Sequence, residues 1–234
     1  MKVKLSLVAI FFLNACLSTA QVKINADAIG RVILHSTDTT SIGTAFVAGE
    51  SRSIYTCSHV AMADTLWFNC LASPAMIYRI ALRYNLPAYD VAFLVRTAGS
   101  QPASLPFGDF SRVQPGDTVY YAGWDTRSNQ FILWKAGVTA KGSVLLEEGA
   151  KVDFIEFYGE AIPGYSGGPV IDRNGKVVAM IREGWDRTSL RGGPSVRVNR
   201  AFSVELLRVL DSELKSHSAP TSGKTPNKLI DLKQ

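Results

Sequence analysis

The sequence predicts an all-β chain of two consecutive six-stranded antiparallel barrels closed by a C-terminal helix, and three observations predict it. Short apolar or alternating runs recur between turn residues along most of the chain, which is the spacing of strands and not of helices. A connector carrying Pro102, Pro106 and Gly108 divides these runs into two sets. Only one segment, near the C-terminus, repeats apolar residues at helical intervals. The 234 residues, 47% of them hydrophobic, suffice for a packed core of this size.

Taken in order, residues 1–20 read as an export signal. Lys2 and Lys4 precede an apolar run from Leu5 to Leu13, and Ser18 and Ala20 form a small-residue cleavage site before Gln21. Leu13-Asn14-Ala15-Cys16 also resembles a bacterial lipobox, although Asn14 departs from the usual small or branched residue there. Lipidation at Cys16 is therefore an alternative to cleavage after Ala20. The first outcome anchors the protein in a bacterial envelope membrane and the second makes it periplasmic or secreted. No segment approaches the roughly 18 apolar residues of a membrane span, so no transmembrane helix is expected.

Barrel one occupies about residues 28–105, with strands expected at 31–35, 43–47, 54–57, 65–71, 75–82 and 90–95. Barrel two occupies about 114–202. It opens at the turn Pro115-Gly116-Asp117, with strands expected at 118–122, 131–139, 152–157, 168–171, 177–181 and 196–202. Val204, Leu206, Leu207, Val209 and Leu210 make the apolar stripe of a helix over about 204–216, expected to pack on the second barrel. Residues 217–234 are polar and proline-bearing, the composition of a flexible tail. No residues are left over for a separate PDZ-type peptide-binding module.

Charge excludes one broad class. The formal net charge of +5 becomes +3 without residues 1–20, since 25 basic residues lose Lys2 and Lys4 and face 20 acidic ones. No cluster of Lys and Arg interleaved with aromatics stands out, so nucleic acid is not an expected partner. Beyond Cys16 the cysteines are Cys57 and Cys70. In an exported protein they either form a disulfide or remain buried thiols, and both alternatives stand at this level. A nucleophilic Cys57 is disfavoured, because it lies two residues before His59 beside that residue's own backbone.

Chemistry is concentrated in three segments. Gly164-Tyr165-Ser166-Gly167-Gly168-Pro169 places a serine among glycines whose backbone can surround a developing negative charge. A serine hydroxyl needs a base and a group that orients the base. Thr56-Cys57-Ser58-His59-Val60 offers the base and Tyr89-Asp90-Val91-Ala92-Phe93-Leu94 the acid, in the order His, Asp, Ser with separations of 31 and 76 residues. These three segments, with the glycine-led strand Gly43-Thr44-Ala45-Phe46-Val47, resemble the chymotrypsin-fold (trypsin-like) serine proteases, in particular the compact bacterial branch related to the heat-shock serine proteases. The resemblance covers about residues 28–216. Gly164 to Gly168 also fit the Gly-x-Ser-x-Gly elbow of α/β-hydrolases, but that elbow leads into a helix. Here Pro169-Val170-Ile171 leads into the turn Asp172-Arg173-Asn174-Gly175 and another apolar run, which is hairpin grammar. The elbow also requires a histidine after the serine, where only His217 in the polar tail is available.

The resemblance implies a cleft between the barrels, with His59 and Asp90 from the first and Ser166 from the second. It implies Ser166 as nucleophile, His59 as general base and acid, Asp90 as the orienting group, and the N–H groups of Gly164 and Ser166 as the oxyanion hole. Tyr165 stands where digestive trypsins carry an aspartate that pairs with a new N-terminus, so activation by pro-segment cleavage is not expected. Glu160 is a candidate for the substrate pocket. Ala179, Met180 and Ile181 are candidates for an edge strand that pairs with substrate, and Arg182 and Glu183 for tuning that groove. The expected function is a serine endopeptidase acting on proteins or peptides without a metal or organic cofactor. The alternative is a catalytically silent relative that binds peptides or partners.

Overall fold

The computed structural model describes residues 22–34, 40–62, 66–71, 77–97, 103–146, 149–160, 162–187 and 195–217. The export signal, Cys16, Pro102, the tail beyond 217 and the outer ends of three expected strands (35, 65 and 75–76) lie outside these residues.

Barrel one consists of β1 (Ile29–Leu34), β2 (Thr40–Ala48), β3 (Ser53–Thr56), β4 (Leu66–Cys70), β5 (Ile77–Leu86) and β6 (Val91–Arg96). Their spatial order is β1-β2-β3-β6-β5-β4, and β1 closes the ring on β4 with Gly30 opposite Cys70 and Leu34 opposite Leu66. Barrel two consists of β7 (Thr118–Asp125), β8 (Gln130–Leu145), β9 (Lys151–Tyr158), β10 (Pro169–Asp172), β11 (Val177–Arg187) and β12 (Val196–Ser203). It is ordered β10-β11-β12-β9-β8-β7, closed by β10 on β7 with Val170 opposite Tyr121. All pairings between these strands are antiparallel, and closure covers the edges along the body of each barrel.

Each barrel is filled by the inward side of its alternating strands. In barrel one Phe46, Tyr55, Phe68 and Phe93 are fully buried, with the Tyr55 and Phe93 rings edge to face at 5.3 Å. In barrel two Tyr121, Phe157 and Tyr165 fill the same role, the Tyr121 and Phe157 rings 4.8 Å apart. Such pairs add roughly 0.5–1.5 kcal/mol beyond the area they bury.

Two expectations need correction, and one open alternative closes. The helix α1 (Glu205–His217) does not simply cover the second barrel. Val204, Leu207 and the partly buried Leu206 and Leu214 join the apolar cluster of barrel one and the seam between the barrels. Asp211 then clasps the turn after β2, accepting from the backbone N–H groups of Glu50 (3.0 Å) and Ser51 (3.2 Å), from the Ser51 hydroxyl and from the Tyr55 hydroxyl at 3.3 Å. A buried carboxylate requires such donors, and barrel one supplies them. Secondly, β8 and β11 extend well past their expected ends. Their outer parts form ribbons that mix exposed and half-buried side chains, where the apolar alternation that marks a strand in sequence fades. Of the two alternatives left open for Cys57 and Cys70, the structure has no bond between them. Both are buried thiols, Cys57 donating to the Ile181 carbonyl at 3.3 Å and Cys70 to that of Asp27 at 2.6 Å.

Candidate active site

The end of β3 runs into a 3-10 turn, Ser58–Val60, that carries His59 just past the strand instead of on it. The Ser58 hydroxyl bonds Asn85 on β5 at 2.6 Å and fixes the turn from below. On the neighbouring strand, the 3-10 turn Pro87–Tyr89 ends at Asp90, whose φ of 51° and ψ of 45° are left-handed. Aspartate tolerates this region better than most residues, and non-glycine residues held there concentrate at functional sites. The bend aims the carboxylate at His59. Asp90 Oδ1 and Oδ2 each lie 3.0 Å from His59 Nδ1, and Oδ1 also accepts the His59 backbone N–H at 3.2 Å. Asp90 is buried while the His59 side chain is half exposed, so the pair faces a cleft from the barrel-one side. Burial pushes the Asp90 carboxyl upward, but the hydrogen bonds and charge of His59 and the charge of Arg182 outweigh it and hold the group below the usual carboxylate range.

Barrel two contributes the loop Ile162–Pro169. Pro163 and Gly164 are the central residues of a turn closed by the Tyr165 N–H on the Ile162 carbonyl at 3.0 Å. Gly164 has φ 104°, the positive φ that a type II turn demands at this position. A Cβ there would also run into the Trp124 carbonyl oxygen. Gly167, at φ 83°, is packed equally tightly against the Thr44 carbonyl and the Thr56 hydroxyl of barrel one. The Gly167 and Gly168 N–H groups are used within the fold, by Ile181 and Tyr165 carbonyls at 2.8 Å each. Among the described residues neither the Gly164 nor the Ser166 N–H meets a protein acceptor. The loop thus presents two unsatisfied donors on either side of Tyr165, the arrangement that stabilises an oxyanion.

Thr44, fully buried on β2, staples this loop to barrel one and is a residue that sequence reasoning passed over. Its hydroxyl donates to the Gly164 carbonyl at 2.6 Å and accepts from the Trp124 N–H at 2.8 Å, while its own N–H donates to the Ser166 carbonyl at 3.0 Å. Both carbonyls flanking Tyr165 are thereby held by a buried residue of barrel one. The only signal for Thr44 in the sequence is a hydroxyl within the apolar run Ala45-Phe46-Val47. Tyr165 itself is buried in barrel two, its hydroxyl accepting from Trp134 Nε1 at 3.1 Å, and so replaces an acid with a packed ring.

The Ser166 hydroxyl donates to the Arg182 carbonyl at 3.3 Å, and no hydrogen bond joins it to His59 in this arrangement. Cys57 Sγ, a His59 ring nitrogen and an Asp90 oxygen lie within 4.8 Å of one another, a donor set for a soft cation. The tetrahedral spacing around zinc is nearer about 3.5 Å. Burial also pushes the Cys57 thiol well above its ordinary value, away from the thiolate a metal or a nucleophile requires.

The substrate-side candidates divide. Glu160 is exposed on the approach to the serine loop. Ala179, Met180 and Ile181 are buried and bonded on both sides: Ala179 and Met180 pair with Val170 and Pro169 of β10, Ile181 bonds the backbone of Gly167 and Gly168, and all three pair with Ser203, Phe202 and Ala201 of β12. Their backbone has no edge to offer, which corrects the expected groove. Beyond Ile181 the outer side of β11 loses its β10 partner, so an edge begins at Arg182 and Glu183.

Comparison with known proteins agrees with this fold. The chain is similar in structure to the HtrA-type protease AlgW with a decapeptide, with a TM-score of 0.67 at 19% identity over 82% of this chain and 65% of that one. AlgW with a tripeptide gives 0.65 at 21% identity, over 82% of this chain and 62% of that one. The chain therefore spans less than two thirds of the AlgW length. The apo protease domain of MamO from Magnetospirillum magneticum gives a TM-score of 0.61 at 14% identity, over 79% of this chain and 96% of that domain. At these identities the likeness is one of fold. No curated protein sequence matches the chain. Residues 43–180, more than half the chain and including His59, Asp90 and Ser166, match the trypsin-like peptidase domain, and the chain belongs to that family.

Proposed function

We propose that the protein is a serine endopeptidase that cleaves peptide bonds through Ser166, His59 and Asp90. The observation that carries this reading is the His59 Nδ1 contact with both Asp90 oxygens, opposite a serine loop with two unsatisfied N–H donors. With Nδ1 committed to Asp90, Nε2 is the nitrogen left to accept a proton. The Ser166 hydroxyl turns from the Arg182 carbonyl to His59, Oγ attacks the scissile carbonyl carbon, and the proton passes to Nε2. The N–H groups of Gly164 and Ser166 hold the oxyanion. Collapse of the tetrahedral species expels the amine, which takes the proton from Nε2 and leaves an acyl-enzyme. Water, deprotonated by His59, then releases the acid and regenerates the serine.

The free edge of β11 from Arg182 onward is the place for a substrate strand to pair. Peptide as ligand class is supported by the peptides carried by AlgW. Residues 1–20 support action outside the cytoplasm. A silent, peptide-binding protein is the second reading, favoured by the Ser166 hydroxyl bonding to Arg182 in place of His59. A fluorophosphonate probe separates the two. Wild type is expected to label at Ser166, and Ser166→Ala and His59→Ala to lose labelling. A folded wild type that never labels would establish the silent reading.

A further inference from the structure

We propose that Arg182 is a positioning residue for the His59–Asp90 pair, holding the buried carboxylate in the orientation that His59 needs. The inference rests on the serine-peptidase reading for its catalytic consequence but not for its geometry. Arg182 follows the apolar stretch Val177–Ile181, and its place in the sheet is unusual. Along β11 and β12, Ile181 pairs with Ala201 and Glu183 with Arg200, so two steps on one strand oppose one on the other. Arg182 is the extra residue of a β-bulge. Bulges re-aim side chains and recur beside active sites. Here the bulge sends the guanidinium across the seam between the barrels, where Nε donates to Asp90 Oδ2 at 3.2 Å. The same guanidinium lies over the Phe202 ring on β12, 4.7 Å from its centre, which restricts it to that direction.

Asp90 Oδ1 receives the His59 backbone N–H, whereas Oδ2 receives Arg182 Nε and shares the His59 ring nitrogen with Oδ1. Without Arg182 one oxygen of a buried carboxylate loses a donor, and rotation of the group about its Cβ–Cγ bond is opposed by the His59 contacts alone. The backbone of the same residue receives the Ser166 hydroxyl. One bulged residue therefore touches the acid through its side chain and the serine through its carbonyl. The ionisable groups brought to Asp90 are His59 and Cys57 from the segment after β3 and Arg182 from β11, so Arg182 is the only fixed cation among them.

The test uses the full-length protein and three variants, Arg182→Ala, Arg182→Lys and Ser166→Ala, each checked for native circular dichroism. Two quantities are read: the far-downfield proton resonance of the His59 Nδ1–H bonded to Asp90, and the rate constant for fluorophosphonate labelling. Arg182→Ala is expected to lose or broaden the resonance and to label about 10- to 100-fold more slowly, the scale of a misplaced catalytic group. Peptide substrates should show the loss in kcat and little change in KM. Arg182→Lys, which keeps the charge but not the planar donor, should recover part of both. Ser166→Ala keeps the resonance. An unchanged resonance and labelling rate in a folded Arg182→Ala would overturn the proposal, as would equal losses in the alanine and lysine variants with the resonance intact in both. If wild type itself fails to label, the peptidase reading falls, and the resonance alone still decides the role of Arg182.

Discussion

The position most exposed to a one-atom change is Gly164. Its φ of 104° is costly for any side chain, and a Cβ would collide with the Trp124 carbonyl. Gly164→Ala is therefore expected to turn the peptide that carries one of the two free N–H groups. Loss of a single oxyanion donor costs roughly 3–4 kcal/mol of barrier, so kcat should fall about 100- to 1,000-fold with a far smaller change in KM. Steady-state kinetics on a peptide substrate checks this, and an unchanged kcat would remove Gly164 from the site. Much at this scale was legible in the sequence: a serine flanked by glycines, and a histidine and an acid in fixed order, announce themselves by residue type. Thr44 did not, and Arg182 stood out only as a residue of the groove. Thr44 acts through a hydroxyl hidden in an apolar strand, and Arg182 through a bulge, a matter of pairing between strands that no single strand records.

At the scale of elements, the strands inside the barrels were readable because burial imposes alternation on them. The outer halves of β8 and β11 were not, since paired ribbons in solvent place no such demand on their side chains. The apolar stripe of α1 foretold a helix but not its partner, because Leu206, Leu207 and Leu210 fit any apolar surface. What selects barrel one is Asp211. Asp211→Ala leaves the N–H groups of Glu50 and Ser51 and the Ser51 and Tyr55 hydroxyls without their acceptor. The cost expected is about 2–3 kcal/mol, the range for stranding partly buried donors. Urea unfolding would show this as a lower midpoint at unchanged m, and Asp211→Asn should restore part of it. An alanine variant as stable as wild type would mean that the apolar stripe alone holds the helix.

For the whole molecule, the seam between the barrels depends on a charge. Asp90 and His59 belong to barrel one and Arg182 to barrel two, and the Thr44 N–H reaches the Ser166 carbonyl across the same boundary. Because the Asp90 carboxyl is held below its unfolded value, its contribution is fully present above the unfolded value of about 4 and is lost as pH falls through the lower folded value. Wild type should therefore lose stability on acidification through that window. Asp90→Asn should be less stable at pH 7 and lose less between about pH 5 and pH 3. Urea titrations across this range test the sign, and parallel curves for the two proteins would contradict it. The clasp of Asp211 on Ser51 spans 160 residues of sequence. A chain synthesised from its N-terminus acquires β2, β3 and the turn between them early, yet their carboxylate partner arrives only with the final helix. The first barrel consequently waits for α1 to complete its bonding, and a polypeptide that stops before residue 211 leaves that barrel unlatched.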